Sequence, residues 1–129
     1  ATLNRAVAAG LDALAAAGVH LLWQCGRAYY AEYRPLAEGR PMVRLMPFID
    51  DPGQAYAAAD LVACRAGALT LSELMAVAKP AVVVPSPNVA DDHQAANARS
   101  LAGLGGAVVV ADADAPTRLV PEALALLQS

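Results

Sequence analysis

Short runs of apolar residues alternate with helix-length segments along this chain of 129 residues. The clearest run is the Ala-Val-Val-Val at 81–84, which has no polar residue to turn toward water on either side of a sheet. Strands of this kind are typical of parallel sheets, because right-handed crossover connections cover both faces with helices. The alternation therefore predicts an α/β fold, a Rossmann-like parallel sheet with helices on both faces.

Periodicity and turn residues set the expected limits of the helices and strands. Gly18 ends a segment with one apolar helical face, and the Asp-Asp-Pro at 50–52 is typical of a helix start. The predicted strands are 19–25, 42–48, 61–64, 81–84 and 107–110. The predicted helices are 2–17, 29–36, 50–59, 69–78, 91–104 and 116–127.

Composition limits the class of partner. The net charge is −3 and the nine Lys and Arg residues are scattered, whereas nucleic-acid binding needs clustered cations that neutralise phosphates. Small molecules or proteins are therefore the expected partners, and nucleic acid is not. Cys25 and Cys64 each end an apolar run, which predicts reduced core thiols, and no metal-binding spacing is present. No apolar run approaches the roughly 18 to 20 residues that span a bilayer.

The carboxyl ends of the strands are the expected place for a ligand, as in other parallel α/β sheets. Four parts of this chain are predicted to meet there: Gly26, 48–51, 65–69 and 85–94. The segments 65–69 and 85–94 carry most of the small and polar residues suited to contacting a ligand.

A turn of small residues follows the third predicted strand. Its members are Arg65, Ala66, Gly67, Ala68 and Leu69. The small side chains let the backbone approach a ligand, and the next helix directs free amides and a positive dipole end to the same place. A phosphate or diphosphate is favoured there. The alternative is a tight turn capped by Thr70 or Ser72, and Arg65 could pair with phosphates, with Asp60 or with another neighbouring carboxylate.

Glu73 lies about one turn into the helix that follows this segment. A carboxylate there can accept two hydrogen bonds from vicinal hydroxyls, as acidic residues do for ribose in nucleotide-binding sheets. The alternative is a helix-start glutamate that is favoured by the helix dipole. Position alone does not decide between these interpretations.

The loop after the fourth predicted strand leads into a polar helix start. Asp91 or Asp92 is suited to cap this helix. His93 and Gln94 in its first turn offer neutral donors and acceptors suited to sugar hydroxyls. A lone histidine is more often structural or solvated, and Asn97 has an equal alternative as a helix side chain that bonds the preceding loop.

Two strings give these segments a family resemblance. They are CRAGALTLSEL at 64–74 and KPAVVVPSPNVADDHQAANA at 79–98, and FIDD precedes them at 48–51. The strings resemble the carboxyl-terminal domain of the MurG family of glycosyltransferases, in which R-x-G-A-x-T-x-S-E and H/Q-Q-x-x-N-A stand at the same separation. The resemblance covers nearly the whole chain and implies one half of a GT-B fold.

The resemblance also implies a role for each candidate residue. Glu73 matches the glutamate that binds the ribose hydroxyls of a UDP-sugar, and Ile49 matches a position whose backbone reads the uracil edge. His93 and Gln94 match a polar pair that contacts the donor sugar, although His93 departs from the common Gln-Gln form. The turn and helix start that face the nucleotide are matched by Ala66, Gly67, Ala68 and Leu69. Arg65 and Asn97 complete the predicted substrate-binding set.

The implied reaction transfers N-acetylglucosamine from UDP-GlcNAc to the C4 hydroxyl of lipid I, with inversion, giving lipid II for peptidoglycan. The implied location is peripheral, on the cytoplasmic side of the bacterial cell membrane. No cofactor or metal is implied. The Asp50-Asp51 and Asp91-Asp92 pairs are better interpreted as helix caps.

The same resemblance implies that residues 1–129 are the donor-binding part of a longer protein. A first strand, a glycine-rich GGSxGA loop and an amino-terminal acceptor domain with the catalytic base are expected outside this chain. Two alternatives remain open at this point. One is a non-catalytic module that binds a uridine nucleotide, and the other is a related UDP-sugar enzyme such as an epimerase or a glycolipid synthase.

Overall fold

Helices and strands alternate through the computed structural model, which describes residues 2–88, 93–103 and 105–128. The strands are β1 (Leu21–Gln24), β2 (Val43–Met46), β3 (Val62–Cys64), β4 (Ala81–Val83) and β5 (Ala107–Val109). The α-helices are α1 (Thr2–Ala9), α2 (Leu11–Ala16), α3 (Tyr30–Ala37), α4 (Pro52–Ala58), α5 (Ala68–Val77), α6 (His93–Gly103) and α7 (Ala115–Gln128).

Several limits differ from those predicted. Each strand is shorter than the apolar run that predicted it, because the flanking apolar residues serve the core beyond the strand end, as the buried Val84 and Val110 do. Unpredicted 3₁₀ turns, Arg27–Tyr29 and Asp112–Asp114, precede α3 and α7. Of the predicted helix 91–104, positions 91, 92 and 104 lie outside the described residues, and so does the predicted cap at Asp91 or Asp92.

The predicted helix 2–17 is wrong as a single helix, because it breaks at Gly10 into α1 and α2. Gly10 has φ −102° and ψ 6°, outside helical geometry. A Cβ atom built there would lie 2.3 Å from Cγ2 and 2.7 Å from Cβ of Val120 on α7. The break therefore occurs where α7 crosses the chain too closely for any side chain.

Gly10→Ala is expected to destabilise the fold by about 1–3 kcal/mol, since the stiff Val120 side chain cannot move away without shifting α7. The measurement is the free energy of unfolding in urea. Gly103→Ala is the matched control, because Gly103 is helical and nothing lies within 4 Å of its Cβ position. That variant is expected to gain up to about 1 kcal/mol. Equal effects from the two variants would contradict this account of the break.

All strand pairs are parallel, which confirms the α/β interpretation. The described strands bond as two sets, β1 with β2 and β3–β4–β5 in that order. In the larger set, Val82 on the central strand aligns with Ala63 on one side and Val108 on the other. The carboxyl ends of β3, β4 and β5 therefore share one edge.

Helices cover both faces of the three-stranded set. On one face Val82, Val84 and Val110 pack with Ala6 of α1 and Leu119 of α7. On the other face a second cluster joins the sheet to α5 and α6, and its buried members are Ala66, Leu71, Leu74, Ala81, Val83 and Ala98. Alternate residues of the apolar run at 81–84 thus serve opposite faces, as a two-sided buried strand requires.

The two-stranded set has its own core, in which the rings of Trp23 and Tyr33 lie 5.3 Å apart. The buried side chain of Asn4 on α1 connects this core to the rest of the domain. Its Nδ2 donates to the carbonyl of Cys25 at 2.9 Å, and its Oδ1 accepts from Trp23 Nε1 at 3.0 Å. One amide thus fixes α1 against the end of β1.

Helix α7 is amphipathic, and its buried residues are Ala115, Leu119, Val120 and Ala123. These residues share one face of the helix, which packs against α1. At 14 residues α7 is the longest helix described. No helix in the described ranges has both the length and the apolar character needed to cross a bilayer.

Candidate functional site

The turn after β3 leaves the start of α5 open. Its N-cap residue is Gly67, in extended backbone, and glycine has no side chain to cap the first amides. The predicted caps Thr70 and Ser72 lie inside α5, which begins at Ala68, one residue earlier than predicted. Ala66 is fully buried and Leu69 is 75% exposed. Among the described residues, no side chain caps the first amides of α5, which lie beside small residues at the sheet edge, an arrangement that favours an anion.

The guanidinium of Arg65 pairs with a carboxylate, as one predicted alternative had it, but the partner is Asp112 after β5 and not Asp60. The Arg65 Nη1 atom lies 2.6 Å from Asp112 Oδ1. The same nitrogen donates to the carbonyls of Val84 at 3.4 Å and Pro85 at 3.3 Å. This one side chain thus connects the carboxyl ends of β3, β4 and β5.

Glu73 is half-buried on the first turns of α5, on the same helix as the open amides. Tyr56 of α4 packs beside it against the α5 core. Burial raises the pKa of the Tyr56 phenol; its hydrogen bond with Thr70 lowers that pKa, and the negative charge of Glu73 raises it. The Glu73 carboxylate therefore lies within electrostatic reach of α4, with a neutral phenol nearby.

Two of the predicted ligand residues on α6 form bonds that hold loops. Gln94 Oε1 accepts from the amide of Ser86 at 2.9 Å, which fixes the loop after β4. Asn97 Nδ2 donates to the carbonyl of Ala66 at 3.4 Å, which fixes the turn after β3. His93 is exposed at the first residue of α6. The structure thus brings Asn97 to the turn at 65–69 and Gln94 to the loop after β4; among the described residues, Asn97 bonds that turn and not the loop before its own helix.

Ile49 follows β2, at the carboxyl end of the two-stranded set. Its amide, the group predicted to read a base edge, donates to Gln24 Oε1 at 2.9 Å. The neighbouring Phe48 ring lies 5.4 Å from the guanidinium carbon of Arg27, which connects the loops after β1 and β2. Asp51 caps α4 by accepting from the amide of Gln54 at 3.1 Å, and this confirms its interpretation as a helix cap.

Open grooves lie at both ends of the strands. One of about 490 Å³ borders Ile49 and is lined by Leu22, Met46, Asp50, Asp51, Gln54, Ala55 and Ala58. The other, of about 310 Å³, lies at the amino ends of β4 and β5 and is lined mostly by apolar groups around Lys79. Neither groove is lined by Arg65, Gly67 or Glu73. The better candidate for a ligand is the carboxyl end of β3, because Arg65 and the open start of α5 follow that strand. The described residues contain no cluster of three or more His, Cys, Asp or Glu side chains able to hold a metal ion.

Sequence reasoning missed three residues that shape this edge: Gln24, Tyr56 and Asp112. Asp112 follows the last strand, so the rule that ligands bind at the carboxyl ends of strands would have identified it had the fifth strand been included. Gln24 is the last residue of β1, so the same rule would also have identified it. Tyr56 carried no local signal, because its proximity to Glu73 arises from the packing of α4 on α5.

The thiol of Cys64 beside this site is expected to be chemically inert. Burial raises its pKa from 9.0 to about 12, so at pH 8 its thiolate fraction falls about a thousandfold. Alkylation by iodoacetamide is expected to be at least about a hundredfold slower in the folded protein than in urea. The raised pKa also means that the stabilising contribution of the neutral thiol is complete below pH 9.0 and is lost as the pH rises toward about 12. Folded-state alkylation at the unfolded rate would contradict this expectation.

Comparison with known proteins identifies a family. The family model described as the glycosyltransferase family 28 C-terminal domain matches residues 1–129. Over 128 residues the chain is 49% identical to the UDP-N-acetylglucosamine–N-acetylmuramyl-(pentapeptide) pyrophosphoryl-undecaprenol N-acetylglucosamine transferase of Salinibacter ruber, covering 98% of this chain and 35% of the relative. The protein of the same name from Parabacteroides distasonis is 46% identical over 129 residues, with the same two coverages. The chain thus spans about a third of the length of these curated relatives.

A solved structure agrees with the sequence comparison. The crystal structure of Acinetobacter baumannii MurG matches with a TM-score of 0.72 and 35% identity, covering 84% of this chain and 32% of that one. This likeness confirms the Rossmann-like α/β fold that the resemblance implied. Because the family model extends over every residue from 1 to 129, the chain belongs to the glycosyltransferase family 28 C-terminal domain family.

Proposed function

We propose that this chain binds the UDP-GlcNAc donor of an inverting N-acetylglucosaminyltransferase that converts lipid I to lipid II. One juxtaposition carries the proposal: the uncapped start of α5 and the Glu73 carboxylate one turn later lie at the same sheet edge. That edge belongs to a chain 49% identical to a transferase whose name specifies N-acetylglucosamine transfer. Anion-binding amides followed by a carboxylate suited to vicinal hydroxyls fit a nucleoside diphosphate.

Each part of the donor has a suitable group. The diphosphate is assigned to the turn and helix start formed by Ala66, Gly67, Ala68 and Leu69, with Arg65 at its border. The ribose hydroxyls are assigned to Glu73, which can accept two hydrogen bonds. The sugar is assigned to His93 and Gln94, and Asn97 holds the turn beneath them. The uracil is assigned to the Ile49 backbone, which requires Gln24 to release the Ile49 amide.

In the reaction, the groups at this sheet edge stabilise the leaving group, which is UDP. As the anomeric C–O bond to the donor breaks, negative charge grows on the diphosphate, and fixed helix-start amides stabilise that charge. Inversion needs an in-line attack by the acceptor hydroxyl from the opposite side, with a base to remove its proton. We assign that base, the lipid I site and the contact with the cytoplasmic membrane face to the part of the protein that corresponds to the rest of its relatives.

Calorimetric titration tests the donor assignment. UDP is expected to bind at least about tenfold more tightly than ADP, because one lost hydrogen bond to the base costs on the order of 1.4 kcal/mol. Equal affinities would contradict the uridine assignment. A second arm uses the complete protein with UDP-GlcNAc and lipid I, where release of UDP with formation of a disaccharide lipid is expected. Epimerised UDP-sugar as the product would favour the epimerase alternative.

A further inference from the structure

The guanidinium of Arg65 links the ends of three strands at the candidate site. It contacts the carbonyls of Val84 and Pro85 and the carboxylate of Asp112, all through Nη1. A guanidinium committed in this way to three acceptors fixes the residue that immediately precedes the turn at 66–69. The turn therefore takes its position from contacts to the ends of two other strands.

Asp112 has the geometry of a fixed partner. Its side chain is 18% exposed, against 32% for Arg65, so the pair is shielded from solvent on most of its surface. The 3₁₀ turn that carries Asp112 leads directly into Ala115, the fully buried first residue of α7. Its second carboxylate oxygen accepts from Thr2 Oγ1 at 3.3 Å, at the first residue of α1. The position of the Asp112 carboxylate is thus fixed by the buried start of α7 and by α1, independently of its contact with Arg65.

Asp114 offers a contrast within the same 3₁₀ turn. It is exposed, and its hydrogen bonds to other described residues are through its backbone, with its carbonyl accepting from Thr117 Oγ1 at 3.2 Å. The two aspartates therefore differ in contact with Arg65 while sharing charge and local backbone. This difference separates the effect of the ion pair from that of negative charge near the site.

We propose that Asp112 is a positioning residue of the donor site, which acts through Arg65 to hold the turn at 66–69 where its amides meet the diphosphate. This inference rests on the proposed function, because it takes the diphosphate to lie at that turn. In this proposal Arg65 supports the turn through its ion pair with Asp112. Loss of that ion pair displaces the amides that contact the diphosphate, but it leaves the ribose contact of Glu73, one turn further along α5, in place.

The test compares Asp112→Asn with the control Asp114→Asn by titration with UDP and with uridine, which lacks the diphosphate. Asp112→Asn is expected to weaken UDP binding about tenfold, the size of one charge-assisted hydrogen bond, and uridine binding less than about twofold. Asp114→Asn is expected to change neither. Thermal unfolding of each variant shows whether the domain remains folded.

Double substitution tests whether Asp112 acts through Arg65. The variant Arg65→Gln/Asp112→Asn is expected to bind UDP no more weakly than Arg65→Gln alone, since the carboxylate has no partner left to position. Asp112→Glu keeps the charge and is expected to retain UDP binding within about threefold. If Asp112→Asn does not fold, Asp112→Glu and Arg65→Gln still decide the question, because only the second is expected to lose UDP binding selectively.

The proposal would be overturned by equal loss of UDP and uridine binding in Asp112→Asn, by additive losses in the double variant, or by tighter UDP binding in Asp112→Asn. The last would show that Asp112 withholds Arg65 from the phosphates. A wild-type protein that binds UDP while Asp112→Asn behaves like Asp114→Asn would overturn this inference alone. A wild-type protein that binds neither ligand would overturn the proposed function, and this inference with it.

Discussion

Glu73→Ala is expected to weaken UDP-GlcNAc binding about a hundredfold and to raise the KM for this donor in the complete protein. The substitution removes two charge-assisted hydrogen bonds to the ribose hydroxyls, worth together about 3 kcal/mol. The fold is expected to survive, because the half-buried Glu73 lies beside the buried core of α5 and not within it. The measurement is titration with UDP-GlcNAc, accompanied by thermal unfolding.

A surface glutamate provides the control for this variant. Glu38 is exposed and pairs with Arg34 at 3.6 Å at the end of α3, so Glu38→Ala removes the same charge without touching the site. This control is expected to leave donor affinity unchanged. Glu73→Gln is expected to fall between wild type and alanine, since an amide oxygen still accepts hydrogen bonds. Unchanged donor affinity in Glu73→Ala would sink the ribose assignment.

Asn4→Leu is expected to destabilise the fold by about 3 kcal/mol, although leucine has the same branched shape and number of side-chain heavy atoms as asparagine. The substitution leaves the buried Trp23 indole N–H and the Cys25 carbonyl without their partner. Each orphaned group then carries a desolvation cost of about 1–3 kcal/mol. The measurement is the free energy of unfolding in urea.

The exposed Asn88 is the matched position for comparison. Asn88→Leu makes the same chemical change on the surface, and its expected effect lies within about 0.5 kcal/mol of zero. A loss of similar size at both positions would contradict the view that Asn4 fixes α1 to β1 through its two buried hydrogen bonds.

The fold was predictable because burial leaves a local signature in the sequence. The apolar run at 81–84 indicated a strand buried on both faces, and Val82 and Val83 do face opposite cores. The break at Gly10 was not predictable, because its cause is Val120, far along the chain on α7. The division of the strands into two bonded sets likewise depends on tertiary placement, which apolar periodicity does not encode.

In the candidate site, too, features set by neighbouring residues were predictable, whereas contacts between residues far apart in the sequence were not. The open start of α5 followed from Gly67 and its neighbours, which are contiguous in sequence. The partner of Arg65 lies 47 residues away, and the Gln24 that holds the Ile49 amide lies 25 residues away. Polar side chains of these types suit many partners, so only packing selects one. For that reason the sequence predicted well which residues lie at the carboxyl ends of the strands. It predicted less well which partner each of those residues bonds.

A crystal structure of the protein with UDP bound is the decisive measurement for the donor site. We expect the diphosphate to lie against the backbone amides at 67–69, with the ribose hydroxyls on the Glu73 carboxylate at hydrogen-bond distance, about 2.7–3.0 Å. UDP bound at the opposite end of the strands, in the groove around Lys79, or at the carboxyl edge without contact to Glu73, would contradict it.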